Sequence, residues 1–162
     1  MIASFYAACL TAGVVMIFGS IAVLDAQEKP KLDKQDLIAK DLAERFLKAV
    51  WKQDLDATMQ LVDVPFFWDG VENIEGRDAL KGKIAGLLKR DRSKIPFETK
   101  AVHTYGKLPQ GFLNNKDGKL VDKILDKNDR IVHIEFKPPG RDGIGIMVRL
   151  RADQAKVVGF RD

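Results

Sequence analysis

The chain has 162 residues, a formal net charge of +4, 31% charged and 46% hydrophobic residues, and a single cysteine. That length suits one domain with a real core, and no second domain is expected. The Lys and Arg excess is too small to point to nucleic acid. Because Cys9 lies in an apolar N-terminal run, the rest of the chain can have neither an internal disulfide nor a cysteine-ligated metal.

Residues 2–24, IASFYAACLTAGVVMIFGSIAVL, form an uncharged apolar run long enough to span a bilayer as a helix. Only the α-amino group is positive ahead of it, and Leu24-Asp25-Ala26 is a weak cleavage site, so residues 1–26 are read as a signal peptide or a membrane anchor. Retention would favour the cytoplasmic side, because Lys29, Lys31, Lys34 and Lys40 follow closely; cleavage implies export. A start at Met16 would leave too short a run to span. Phe5-Tyr6-Ala7-Ala8 lacks the pattern that would mark Cys9 for lipidation. The expectation is an exported (periplasmic or extracellular) or membrane-tethered domain, touching the membrane only through this segment.

Residues 27–34 read as a polar linker, and residues 35–162 as the domain. Ile38, Leu42, Phe46, Ala49 and Val50 recur at helical spacing over 35–52. Asp54 is a candidate cap for a second helix carrying Leu55, Met59 and Val62, which Pro65 ends. The two helices are expected to pair antiparallel. Residues 65–70, PFFWDG, form a short aromatic strand with residues 71–76 as its partner, and residues 79–88 return to helix through Leu80, Ile84, Leu87 and Leu88. Gly82 and Gly86 weaken that helix but would let it pack closely.

Beyond it the signals are strands. Residues 97–105 alternate, residues 115–118 (NKDG) read as a turn, and Val132, Ile134 and Phe136 share one face of a strand over 130–137. Residues 138–143 are a loop. Ile144, Ile146, Val148 and Leu150 share a face of the next strand, and residues 157–160 form the last, after a turn at 152–155. Helices first and strands afterwards give an α+β class, with the N-terminal helices on one face of an antiparallel sheet.

The run ERFLKAVWKQDLDATMQLVDVPFFWDG, followed by IEGRDALKGKIAGLL, resembles the nuclear-transport-factor-2-like superfamily of SnoaL-like and ketosteroid-isomerase-like domains. That resemblance implies a cone: helices packed on a curved antiparallel sheet that encloses a pocket. Ketosteroid isomerases of this superfamily place a carboxylate base on the first strand, with a tyrosine and a second acid as oxyanion donors. By position Asp69 resembles the base, whereas Phe46 stands where the tyrosine would be and Met147 where the second acid would be. Without preorganised donors the negative charge left on oxygen loses most of its stabilisation, so the isomerase reaction itself is not expected.

Asp69 is the leading site candidate. Flanked by Phe66, Phe67 and Trp68, it could occupy a partly dry pocket as a base, and Asp-Gly is equally an ordinary hairpin signal. His103 and Tyr105, assigned by alternation to the face of Phe97, Thr99 and Ala101, would complete an acid–base set resembling those of dehydratase or cyclase relatives; the other reading puts both at a sheet rim. His133 alternates onto the outer side. Two histidines thirty positions apart give no metal-ligand spacing, and residues 126–137 fail the calcium-loop pattern because Ile131 occupies the glycine position, so no metal and no cofactor are expected. Lys81, Lys83, Lys89, Arg90, Arg92 and Lys94 form a basic run with no interleaved aromatic, which reads as a solvated face.

Phe46, Phe66, Trp68 and Asp69 are the expected pocket residues. The leading expectation is a non-catalytic domain that binds a small apolar molecule there, or forms a homodimer through an outer sheet face presenting Ile131, His133 and Met147. The alternatives are a cofactor-free isomerase, dehydratase or cyclase using Asp69 as general base, and a purely structural dimerisation module.

Overall fold

The computed structural model describes residues 32–89, 95–109, 112–137, 143–152 and 154–162. The apolar segment at 1–26, most of the linker, Arg90, Arg92 and Lys94 of the basic run, and nearly all of the loop at 138–143 lie outside the described residues.

Helix α1 (Lys34–Trp51) starts at a reciprocal capping box. Asp33 accepts from the Asp36 amide at 2.7 Å, and Asp36 accepts from the Asp33 amide at 2.9 Å. Its buried stripe runs through Ala39, Leu42, Ala43, Phe46, Leu47 and Val50; Ile38, expected in that stripe, is exposed. Asp54 caps the short α2 (Leu55–Leu61) by accepting from the Ala57 amide. Strand β1 (Val62–Trp68) follows without a break, so the second helix ends before Val62. Pro65, expected to lie at the start of the strand, sits inside it, where the register against β6 shifts between Val62 and Phe67.

A turn leads from β1 to β2 (Glu72–Ile74), then to α3 (Arg77–Leu87). A Cβ added at Gly82 or Gly86 of α3 meets nothing within 4 Å, so these glycines are not there for close packing, contrary to the sequence expectation. Gly82→Ala should therefore stabilise the fold by about 0.5–1 kcal/mol, the helical penalty of glycine. A urea midpoint unchanged or lowered in that variant would contradict this.

The remaining elements are β3 (Phe97–Thr104), a single 3-10 turn (Tyr105–Lys107), α4 (Asn115–Val121), β4 (Arg130–Phe136), β5 (Gly143–Leu150) and β6 (Ala155–Arg161). The six strands form one sheet in the order β2-β1-β6-β5-β4-β3. The sheet is mixed rather than antiparallel throughout: β6 slots between β1 and β5 and pairs parallel with β1. Side-chain alternation carries no information on pair direction, so this was invisible in the residues.

The inner face presents Val62, Phe66, Val132, Ile134, Ile144, Ile146, Val148, Val157 and Phe160 to α1, forming the main core. The outer face carries a second core, because Phe67, Ile131, Met147 and Val158 are buried with Val121, Ile124 and Leu125 from α4 and the turn behind it. Residues 115–118, expected as a turn between strands, are thus the start of a helix. Asn114 caps it, accepting from the amides of Lys116 and Asp117. Helices therefore lie on both faces, and Ile131 and Met147 are not available as an exposed dimer surface; His133 remains exposed.

Two polar clusters pin the strand ends. Asp129, fully buried, accepts from the amides of Asp126 and Leu150, both at 2.7 Å. The buried Arg130 guanidinium reaches Asp36 at 2.6 Å and Asp33 at 3.1 Å, tying β4 to the start of α1.

Candidate functional site

Strand alternation on β1 sends Phe66 and Trp68 to the inner face and Phe67 to the outer one. Trp68 is only half-buried, and next to it a cavity of about 410 Å³ opens between α1, α3 and the inner sheet face. Phe46, Leu47, Val50 and Trp51 line it from α1, Gly86 and Leu87 from α3, and Trp68, Phe136, Ile144 and Phe160 from the sheet. Its charged lining groups are Asp69, Lys83 and Asp162.

The aromatic walls brace one another. Trp51 stands edge-on to Phe97 at 4.7 Å between ring centres and lies 5.7 Å from Phe136, while Trp68 meets Phe160 edge-on at 5.0 Å. Phe66 packs 6.2 Å from Trp68 and 6.1 Å from Phe160. It is fully buried and sits behind the wall, so of the four expected pocket residues Phe46, Trp68 and Asp69 line the cavity and Phe66 supports it.

Asp69 is placed by a hairpin turn. It and Gly70 both have positive φ, 46° and 70°, as tight turns between twisted strands require, and the Val71 amide donates to the Trp68 carbonyl at 2.9 Å. The Asp-Gly pair is thus both the hairpin signal and part of the cavity lining. The Asp69 carboxylate is exposed and accepts from the Asp162 amide at 3.1 Å; it does not sit in a dry pocket, contrary to the expectation for a base. Lys83 bonds to Glu72 and places its ammonium 5.6 Å from the centre of the Trp68 ring.

The structure does not bring His103 and Tyr105 to Asp69. The register of β3 against β4 shifts between Thr99 and Ala101, and that bulge reverses the alternation. Phe97 and Thr99 face the helices, with Thr99 bonding Glu44 of α1, whereas His103 pairs with Ile131 on the outer face and packs 5.3 Å from Phe112. Strand β3 also lies four strand spacings from β1, about 19 Å along the sheet. Tyr105 lies in the 3-10 turn and donates to Asp122 at 2.6 Å; burial, then that carboxylate, pushes its phenol well above the ordinary range. The expected acid–base set is therefore split: Asp69 lies at the β1 hairpin, and His103 and Tyr105 lie apart from it near Phe112 at the far edge of the sheet. Met147 is likewise on the outer face, away from the cavity.

Burial, followed by repulsion from His133, holds the His103 imidazole below its ordinary value of 6.5. The unfolded chain then binds a proton more readily than the folded one. The stability that neutral His103 supports is present above 6.5 and is lost as the pH falls through that value toward the depressed folded one. The urea midpoint should drop between about pH 7.5 and about pH 5.5, and drop less in His103→Gln. Equal drops in both proteins would contradict this.

The residues that sequence reasoning did not place in the site are Leu47, Val50, Trp51, Lys83, Gly86, Leu87, Phe136, Ile144, Phe160 and Asp162. Phe136 and Ile144 were on the correct face by alternation, so the missing step was the three-dimensional one of bringing α3 over them. Lys83 and Gly86 stand three apart, and that spacing was a usable signal for one side of α3.

No protein-family model matches the chain, and no curated protein matches it. It is similar to solved structures. One is an NTF2-like protein of unknown function from Cytophaga hutchinsonii, 12% identical over 83% of this chain and 91% of that one, with a TM-score of 0.39. Two others are versions of a scaffold named Rd1NTF2_05. One, described as having a long sheet, is 17% identical over 81% of this chain and 99% of that chain, with a TM-score of 0.44. The other, carrying substitutions, is 16% identical over 80% and 98%, with a TM-score of 0.46. The chain itself is an α+β arrangement in which helices are interspersed with the strands of one six-stranded mixed sheet.

Proposed function

We propose that this domain binds a small, mainly apolar molecule in the inner-face cavity. The observation that carries the reading is the cavity itself: about 410 Å³ walled by Phe46, Trp51, Trp68, Phe136 and Phe160, with charged groups confined to Asp69, Lys83 and Asp162. Ligand sites are commonly concave spaces of roughly 300–1,000 Å³ with apolar walls and a few polar groups that set orientation. Here removal of apolar surface from water supplies the affinity, and the charged groups select which end of the ligand faces out.

The same geometry weighs against an acid–base enzyme built on Asp69. Its carboxylate is exposed on a turn, and the two groups expected to work with it lie elsewhere. A binding role asks only for the cavity.

The test uses a neutral fluorescent probe, N-phenyl-1-naphthylamine. The sequence has two tryptophans, and both line the cavity, so a bound probe quenches indole emission by energy transfer. A saturable titration with one probe per chain is expected. A rise in probe emission that never saturates, with no tryptophan quenching, would contradict the proposal.

A further inference from the structure

Resting on the cavity reading, we infer that the preferred occupant is a hydrophobic organic cation, an aromatic or alicyclic group carrying an ammonium that sits between Asp69 and Asp162.

Asp69 and Asp162 both line the cavity and both are exposed. Asp69 accepts one backbone amide, that of Asp162, and among the described residues neither carboxylate forms an ion pair. The lining cation, Lys83, is already compensated by Glu72. The cavity therefore presents two uncompensated negative charges in a chain whose net charge is +4, so its acidity is local and not a reflection of composition.

The walls suit the same ligand. The Lys83 ammonium lies over the Trp68 ring, 5.6 Å from its centre, so the ligand's own ammonium belongs at Asp69 and Asp162, and its ring system packs on the aromatic walls, Phe160 and Trp51 among them. Phe160 braces Trp68 edge-on, holding the ring in place. An anionic ligand would meet Asp69 and Asp162 with repulsion, and a neutral one would gain from the walls alone.

Both acids are solvated, so their contribution is modest: an ammonium should bind about tenfold more tightly than a neutral molecule of the same shape, and less so in high salt. Calorimetric titration of the protein at low ionic strength with three probes sharing one ring system tests this: 1-naphthylmethylamine, protonated at neutral pH, 1-naphthalenemethanol and 1-naphthaleneacetate. The expected order is ammonium tightest, alcohol about tenfold weaker and carboxylate weakest. The ammonium advantage should shrink several-fold in Asp69→Asn, since asparagine tolerates the positive φ of this position.

Equal binding of ammonium and alcohol, or tightest binding of the carboxylate, overturns the cation inference while leaving the cavity reading in place. An ammonium preference untouched by Asp69→Asn also overturns it, because the charge recognised is then elsewhere. Failure of all three probes to bind removes the cavity reading itself, and the cation inference with it.

Discussion

Gly86→Phe should weaken binding of N-phenyl-1-naphthylamine by about ten- to a hundredfold while leaving the fold at least as stable as before. Gly86 lines the cavity from α3, and a Cβ at that position meets nothing within 4 Å, so a side chain can start there unopposed and a benzyl group turned into the cavity takes space the probe needs. The helix gains as well, since phenylalanine is a better helix former than glycine by about 0.3–0.5 kcal/mol. Gly82→Phe is the matched control. It makes the same change one helical turn earlier, on an exposed position outside the cavity lining, and should leave binding unaltered. Loss of binding in both variants, or in neither, would mean that the probe sits somewhere else, the apolar segment at 2–24 included.

Ile131→Ala and Met147→Ala should each destabilise the protein by about 2–5 kcal/mol, the range for deleting large aliphatic side chains from a packed core. Ile131 is 2% exposed and Met147 0% exposed, both packed with Phe67, Val121, Ile124, Leu125 and Val158. Equilibrium urea unfolding measures this directly. On an open sheet face the same substitutions would change stability by no more than about 0.5 kcal/mol, and that result would contradict a second core beneath α4. The outcome also bears on self-association. An outer face already filled by the chain's own helix does not offer Ile131 and Met147 to a second copy.

The inner face of the sheet is legible in the residues alone. Val132, Ile134 and Phe136 on β4, and Ile144, Ile146 and Val148 on β5, alternate as a strand with one buried face must, and all contribute to the main core. The Asp54 cap, the Asp69-Gly70 turn and the aromatic β1 were also readable, because capping and tight-turn chemistry are set by the residues themselves.

What failed had specific physical reasons. Residues 115–118 have turn composition, yet Asn114 turns them into a helix start by capping two amides. The stronger signal was the apolar set Leu120, Val121, Ile124 and Leu125 just downstream, which has no other place to be buried. The bulge in β3 is a one-residue irregularity with no residue signature, and it alone moves His103 from the inner to the outer face. Parallel pairing of β6 with β1 depends on tertiary topology. The candidate site was accordingly half legible: Phe46, Trp68 and Asp69 were found, whereas the contributions of α3 and β6 depend on how distant parts of the chain meet.

The most direct measurement is a two-dimensional nitrogen–proton correlation spectrum of the protein, recorded with and without N-phenyl-1-naphthylamine and read at the indole signals of Trp51 and Trp68. Both rings line the cavity, so both indole signals should shift together and saturate at one probe per chain, and neither should move in Gly86→Phe. Indole signals that stay fixed while backbone signals around Val71, Leu120 and Lys123 move would place the probe in the shallow hollow beside α4 and contradict a binding site on the inner face.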